Sequence, residues 1–307
     1  MSPGASKVSV IIATYNMGQY LLNAVDSVLS QTYKNLDVHV IDDGSMDGTR
    51  DLMEQWKDDP RVHYYWQENA GQTKAKNCGI RRSDGDFVAF CDADDLWVST
   101  KLEQQMPLFD AEGMVGVVYG RNRQIQASGE AVTDVRREAY YSGHVTEALF
   151  QYNFISFGTT VVRRSCLNEF GGFDEAYRMG IDWDLWLRIS TKYQIRFLDD
   201  VVYLYRVWPG QMSNNWRGRY DSAFRIMRNF LEKYPGTVSD EVIRRAYAHS
   251  YTERARIRAL QDGEYAAALA DAWTALRHLP TYLPAAKVVG RVALTAVGLK
   301  TVSRSVS

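Results

Sequence analysis

The segment Cys91-Asp92-Ala93-Asp94-Asp95 places three carboxylates within four residues, directly after an apolar run. Carboxylates this close repel one another unless a cation lies among them. Hard divalent cations such as Mg²⁺ or Mn²⁺ prefer oxygen ligands and often share them with substrate phosphates. The same residues also fit a solvated Asp-rich turn. A second acidic pair, Asp42-Asp43, precedes Gly44-Ser45, which is turn material ahead of a helix. A third acidic position, Asp182, opens a helical pattern carried by Leu185, Trp186 and Ile189. It can serve chemistry or simply cap that helix.

Elements with strand and helix periods alternate around these positions. Residues 8–14 (VSVIIAT) are β-rich and apolar on both faces, as a buried parallel strand should be. Further strands are predicted at 36–41, 62–67 and 87–91, with helices at 20–30, 47–57 and 73–82. Such alternation implies an α/β fold, a mostly parallel sheet with helices on both faces. Ligands of such sheets sit beyond the carboxyl ends of the strands. The polar clusters fall there: Tyr15-Asn16 after the first strand, Asp42-Asp43 after the second and Asp92 to Asp95 after the fourth. Strands are also predicted at 115–119 and 159–162, and the pattern turns helical from Tyr220. The stretches 241–260 and 264–278, broken at Asp262-Gly263, are similar to a single tetratricopeptide unit. One such unit cannot stand as a solenoid, so it is expected to pack on the domain before it.

Bulk properties exclude some function classes. The chain has 307 residues and a net charge of -1 from 36 basic and 37 acidic residues. Nucleic-acid binding wants a basic excess, so none is expected. The three cysteines, Cys78, Cys91 and Cys166, lack metal-ligand spacing and fit a reduced compartment. The five histidines show no HxxxH or HExxH spacing and are read as structural or solvent-exposed. The first apolar run is too short for a signal peptide, and no uncharged stretch reaches the roughly 18–20 residues of a spanning helix. These features predict a cytoplasmic protein. After Asp271 no acid remains, while Arg277, Lys287, Arg291, Lys300 and Arg304 stand among apolar residues. This end reads either as a docked terminal helix or as a peripheral contact with an anionic membrane.

The pieces VSVIIATYN, VIDDGSMDGT, NAGQTKAKNCG, GDFVAFCDADD and IDWDLWLR, in this order, resemble the family 2 glycosyltransferases of GT-A fold over about residues 7–215. The resemblance implies a catalytic domain over 1–219, with a nucleotide-sugar half of about 1–112 and an acceptor half of about 113–219. A helical extension over 220–307 follows. It implies inverting transfer of a hexosyl or N-acetylhexosaminyl group from a nucleotide diphosphate sugar to an acceptor hydroxyl. On matching positions, Tyr15 is the aromatic that stacks on the base, beside Ala13 in the same nucleotide segment, and Asp43 accepts the base's imide N–H. A carboxylate accepts but cannot donate, which suits uracil or thymine. The donor is therefore read as a UDP-sugar, with a dTDP-sugar second. Gly71 and Lys76 match the N-x-G…A-R-N-x-G stretch, with Lys76 where Arg is usual. Asp92 and Asp94 match the DxD pair that holds Mn²⁺ or Mg²⁺, Asp92 also lying near the ribose. Asp95 is read as a supporting residue or as a helix cap. Asp182 matches the general base of the E-D-x-x-L-W-x-R element, with Ile181 in place of Glu. Trp208 stands where a His often follows Tyr-Arg-x, and Trp183 and Trp208 are acceptor-side candidates.

The resemblance leaves the acceptor open among saccharide, lipid-linked and protein species, in surface polysaccharide or glycoconjugate synthesis. The Gln-x-x-Arg-Trp motif of processive synthases is absent, which implies one sugar per encounter. The departures at Lys76, Ile181 and Trp208 keep a second reading in view, a nucleotide-sugar-binding module or scaffold without catalysis. A nucleotidyltransferase would carry a Gly-rich basic loop after the first strand, where this chain has Thr14-Tyr15-Asn16-Met17-Gly18.

Overall fold

The computed structural model describes residues 6–110, 114–132 and 139–296. The first half runs β1 (Val8–Thr14), α1 (Gly18–Leu29), β2 (Leu36–Asp42), α2 (Thr49–Met53), β3 (Val62–Trp66), α3 (Gln72–Arg82) and β4 (Phe87–Phe90). Then come β5 (Leu96–Trp97), α4 (Lys101–Gln105), β6 (Val115–Gln126), α5 (Thr146–Gln151), β7 (Val161–Arg163), α6 (Arg164–Phe170), α7 (Ile181–Ser190) and β8 (Gln194–Val207). The remainder is helical: α8 (Trp216–Lys233), α9 (Asp240–Ile257), α10 (Tyr265–His278) and α11 (Leu283–Ala296).

The eight strands form one sheet in the order β3-β2-β1-β4-β7-β6-β8-β5. β3, β2, β1 and β4 are mutually parallel. β7 is antiparallel to both β4 and β6, β8 is parallel to β6, and β5 is antiparallel to β8. The sheet is therefore mostly parallel, as the sequence implies. Every β2 residue is buried, so the strand needs apolar or paired side chains on both faces. On one face, Val8, Val10 and Ile12 pack with Leu21, Ala24, Val25 and Val28 of α1. Burying each larger side chain there contributes about 2 kcal/mol. On the other face α3 comes so close that a Cβ on Gly79 would lie 2.4 Å from Ile11 Cγ2. Glycine is required there by contact, not by backbone angle.

Several element boundaries differ from the sequence reading, three of them for a visible structural reason. The helix predicted at 47–57 is α2 followed by a 3₁₀ turn over Glu54–Trp56. The strand predicted at 159–162 starts two residues later, because Phe157–Thr159 form a 3₁₀ turn. The Thr159 and Thr160 hydroxyls donate to the carbonyls of Ser156 and Phe157, and these local bonds favour the turn over the ladder. β6 extends well past 119 because β8 pairs with it along most of its length.

The chain divides into two compact units, Met1–Val145 with Asn153–Ser222 and Thr146–Tyr152 with Ala223–Ser307. In the second unit the small residues Ala255, Ala268 and Ala272 pack with Val288 and Val292 of α11. Arg254 makes a two-pronged ion pair with the buried Asp271. The apolar stripe of α11 is thus used inside its own unit, while Lys287 and Arg291 are exposed. Lys300 and Arg304 lie outside the described residues. Among the described residues, no helix is long and apolar enough to cross a membrane.

Candidate functional site

The carboxyl ends of β1, β2 and β4 carry the polar clusters, and one helix links the last two. Asp43 follows β2 and is buried. Its Oδ1 accepts from Gln67 Nε2 (2.7 Å) and from the Ala70 amide (2.9 Å), and its Oδ2 accepts from the Gly71 amide (2.8 Å). Gly71 has φ +90°, a conformation natural only to glycine, and it opens α3. One turn on, Lys76 is buried on α3, with its Nζ 3.0 Å from Asp92 Oδ1 and 4.1 Å above the Phe157 ring. The same helix holds the segment ahead of α7. Gln72 Nε2 donates to Arg178 O, Thr73 Oγ1 to Tyr177 O, and Asn77 Nδ2 to Phe173 O. Asp43, Asp92 and the approach to Asp182 are all tied to α3.

The acidic turn after β4 is fastened to β8. Asp95 is almost fully buried, with Oδ2 accepting from Tyr203 OH (2.6 Å) and Oδ1 from the Arg206 amide (2.6 Å). Arg206 Nε donates to Asp94 O, and its Nη1 donates to Ala127 O. Asp95 therefore holds the turn in place. It caps no helix, because β5 follows it. Asp92 and Asp94 face a different balance. Burial, then the neighbouring Asp92 charge, push the Asp94 carboxyl above the ordinary carboxylate range. Trp208 Nε1 donates to Asp94 Oδ2 at 2.8 Å and opposes that shift. Among the described residues, besides Trp208, only its own backbone N–H is seen to donate to the Asp94 carboxylate, and Lys76 supports Asp92. Adjacent, mutually repelling carboxylates with so few donors fit a hard divalent cation.

Asp182 lies in the first turn of α7, one residue past its start. The capping position belongs to Gly180, with φ +68°, so the N-cap alternative for Asp182 does not hold. The reason is local: glycine takes the left-handed conformation without steric penalty. Asp182 Oδ2 accepts from Asn153 Nδ2 at 2.7 Å. Burial raises the Asp182 carboxyl above the ordinary range, while the Asn153 and backbone hydrogen bonds and the Lys76 charge draw it back. The Lys76 charge also acts on Asp94. One ammonium therefore influences both acids while bonded to Asp92.

The remaining sequence candidates take varied positions. Tyr15 is 45% exposed just past the end of β1. Ala13 is half-buried on β1, paired with Ile41. Trp183 is buried, whereas Trp208 is half-buried with its ring 6.0 Å from Tyr20. Asp42 accepts from Tyr64 OH and the Ser45 amide and serves the turn. Asn153, Tyr203 and Arg206 carry no role in the sequence reading. Asn153 sits in a stretch without periodicity, and the contacts of Tyr203 and Arg206 span more than 100 residues.

Comparison with known proteins gives the same frame. Residues 9–171 match the family described as glycosyl transferase family 2. An uncharacterized glycosyltransferase of Rickettsia felis is 32% identical over 205 residues, covering 67% of this chain and 34% of that protein. The chain thus spans about a third of the length of the first curated relatives it matches. Among solved structures, S. aureus TarS 1-349 in complex with UDP-GlcNAc superposes with a TM-score of 0.68 at 18% identity, covering 89% of this chain and 82% of that one. The mannosyltransferase PcManGT from Pyrobaculum calidifontis, in complex with GDP-Man and Mn²⁺, gives 0.56 at 20% identity, covering 97% and 89%. These likenesses show a GT-A fold with C-terminal helices. With more than half of its length matched by the family's pattern, the chain belongs to glycosyl transferase family 2.

Proposed function

We propose that this chain transfers a hexosyl or N-acetylhexosaminyl group from a nucleotide diphosphate sugar to an acceptor hydroxyl, by an inverting single displacement with Asp182 as base. The observation that carries the reading is the α3 linkage: Asp43, Asp92 and the segment leading to Asp182 are all fastened to one helix. On the nucleotide side, Tyr15 stacks on the base. Asp43 Oδ2 has one protein donor and can accept the imide N–H of uracil or thymine. A UDP-sugar is the first choice and a dTDP-sugar the second. TarS was solved with UDP-GlcNAc, and a GDP-Man enzyme shares the fold, so the fold alone does not select the base.

Asp92 and Asp94 would hold Mn²⁺ or Mg²⁺, and such an ion, when bound, neutralises charge on the departing diphosphate. Lys76 fixes Asp92 and lends positive charge to the same region. Asp182 takes the acceptor proton. Its raised pKa makes it a stronger base at neutral pH than an ordinary carboxylate. Asn153 orients the carboxylate, and Trp208 stands on the acceptor side against Asp94.

The acceptor belongs to surface polysaccharide or glycoconjugate synthesis, as a saccharide, a lipid-linked glycan or a protein. Lys287 and Arg291 on α11 supply a basic face for peripheral contact with the inner face of a cell membrane. We assign catalysis to residues 1–219 and acceptor or surface contact to the helical extension 220–307. One observation favours a second reading, a non-catalytic nucleotide-sugar module: the Trp208 indole already occupies Asp94 Oδ2. A screen of UDP- and dTDP-sugars for Mn²⁺-dependent transfer or slow donor hydrolysis separates the two. Turnover that disappears in Asp182→Asn, with UDP binding kept in calorimetry, supports catalysis. UDP binding with no turnover in the wild type supports the module.

A further inference from the structure

The opposite end of the same sheet holds a second cluster of ligating side chains. β2 and β3 are paired so that His39 lies beside His63, and Asp37 stands two residues earlier on the His39 face. Candidate ligand atoms from the three residues all lie within 4.8 Å of one another. Asp37 Oδ2 is 3.2 Å from His39 Nε2 and 3.9 Å from His63 Nε2. In a tetrahedral site with bonds of 2.0–2.1 Å, ligand atoms stand about 3.3 Å apart. The Asp37–His39 spacing already matches, and His63 needs only a small shift.

Burial adds a second observation. Asp37 and His39 are about 4% and 3% exposed. Neither ring nitrogen of His39 makes an aligned hydrogen bond, and Asp37 Oδ1 has no partner. Buried polar atoms are seldom left this way. His63 is partly exposed, with 38% of its side chain open, and supplies an entry path. Lys7 is the competitor, with its Nζ 2.7 Å from Asp37 Oδ2. The same ammonium also pairs with Asp84, so it keeps a partner if a metal takes Asp37 Oδ2.

We propose that Asp37, His39 and His63 form a site for a borderline divalent cation of the Zn²⁺ type, joining the edge strand β3 to β2. Two imidazoles and one carboxylate select Zn²⁺, Co²⁺ or Ni²⁺ over Mg²⁺, Mn²⁺ or Ca²⁺, which want oxygen ligands. The site stands at the amino ends of the strands and so is separate from Asp92 and Asp94 at the carboxyl ends. Three protein ligands leave a fourth position for water.

The test is Zn²⁺ titration of the full chain against a chromophoric chelator, in an Asp92→Asn/Asp94→Asn background that removes the other acidic site. One equivalent of Zn²⁺ is expected. His63→Gln, at a partly exposed position that folding tolerates, should weaken binding by at least about tenfold, since even partners of ligands cost about 10–100-fold. Lys7→Met should tighten it, and Mg²⁺ should not displace the ion. If no Zn²⁺ binds in that background, or if His63→Gln and His39→Gln both bind it as well as the parent, the assignment is overturned.

Discussion

Two acidic clusters stand at the ends of β2 and β4, on either side of β1, and are treated in opposite ways. After β2, the Asp42 and Asp43 carboxylates accept five hydrogen bonds between them, from Ser45, Tyr64, Gln67, Ala70 and Gly71. After β4, Asp92 accepts from Lys76, Asp94 accepts from Trp208 and its own backbone N–H, and burial with mutual repulsion raises Asp94. The first cluster is held by the protein itself, with Asp43 Oδ2 keeping room for one further donor. The second is stable only at a cost, and a cation would remove that cost. Density of carboxylates in sequence does not separate the two cases; the count of donors does.

The largest expected effect lies at the unsatisfied end. Asp94→Asn and Asp182→Asn should each lower kcat by about 10²–10⁴-fold, the range of a lost electrostatic or general-base contribution. Steady-state transfer assays measure it. Only the Asp94 variant should also lose Mn²⁺ affinity. If both variants lose metal to the same extent, Asp182 belongs to the metal site and not to the acceptor side.

The contrast between the clusters is tested next through stability without metal. In Asp43→Asn, an N–H₂ group faces protein N–H donors, and denaturant unfolding should show a loss of about 1–3 kcal/mol. Asp94→Asn should leave stability unchanged or raise it, since the Asn oxygen still accepts from Trp208. The sign follows from the shift. A carboxyl with a raised folded pKa lowers stability as pH rises through that pKa, and the effect is absent below the ordinary carboxylate range. Any gain in Asp94→Asn should therefore be present at pH 7 and vanish in acid. A loss at pH 7 comparable to that of Asp43→Asn would end the distinction.

The legibility of these features in the sequence follows the range of the interactions. Strand β1 was read to the residue because its signal is local: seven residues apolar or small on both faces. The Asp92-Ala93-Asp94 turn and Asp182 were visible because motif spacing is local too. Asn153, Tyr203 and Arg206 were missed as partners, because they reach Asp182 and Asp95 across the fold. The His39–His63 pairing was hidden for the same reason. A 24-residue separation becomes a neighbour only through the β2–β3 register.

A smaller effect is expected at Trp208, whose indole N–H occupies Asp94 Oδ2. Trp208→Phe removes the donor and keeps an aromatic ring against Tyr20. Freed of a hydrogen bond to a charged oxygen worth about 1.5 kcal/mol, Asp94 should bind Mn²⁺ about tenfold more tightly, read by electron paramagnetic resonance titration. Weaker binding would mean that the indole positions the carboxylate for the ion and does not compete with it.

The smallest effect is a pH shift at Asp182, the proposed base. Asn153 donates to Asp182 and so favours its charged form, against the burial that raises the carboxyl. The first turn of α7 adds backbone dipoles that favour the anion. Asn153→Ala removes one of these supports. The acid limb of kcat/KM, which reports ionisation of the free enzyme's base, should move to higher pH by less than about one unit, because a single hydrogen bond is worth about 0.5–1.5 kcal/mol. Turnover on the plateau should fall less than in Asp182→Asn, because the carboxylate is still present. A shift to lower pH would mean that Asn153 holds the protonated form, and Asp182 would then act as an acid toward whatever it meets.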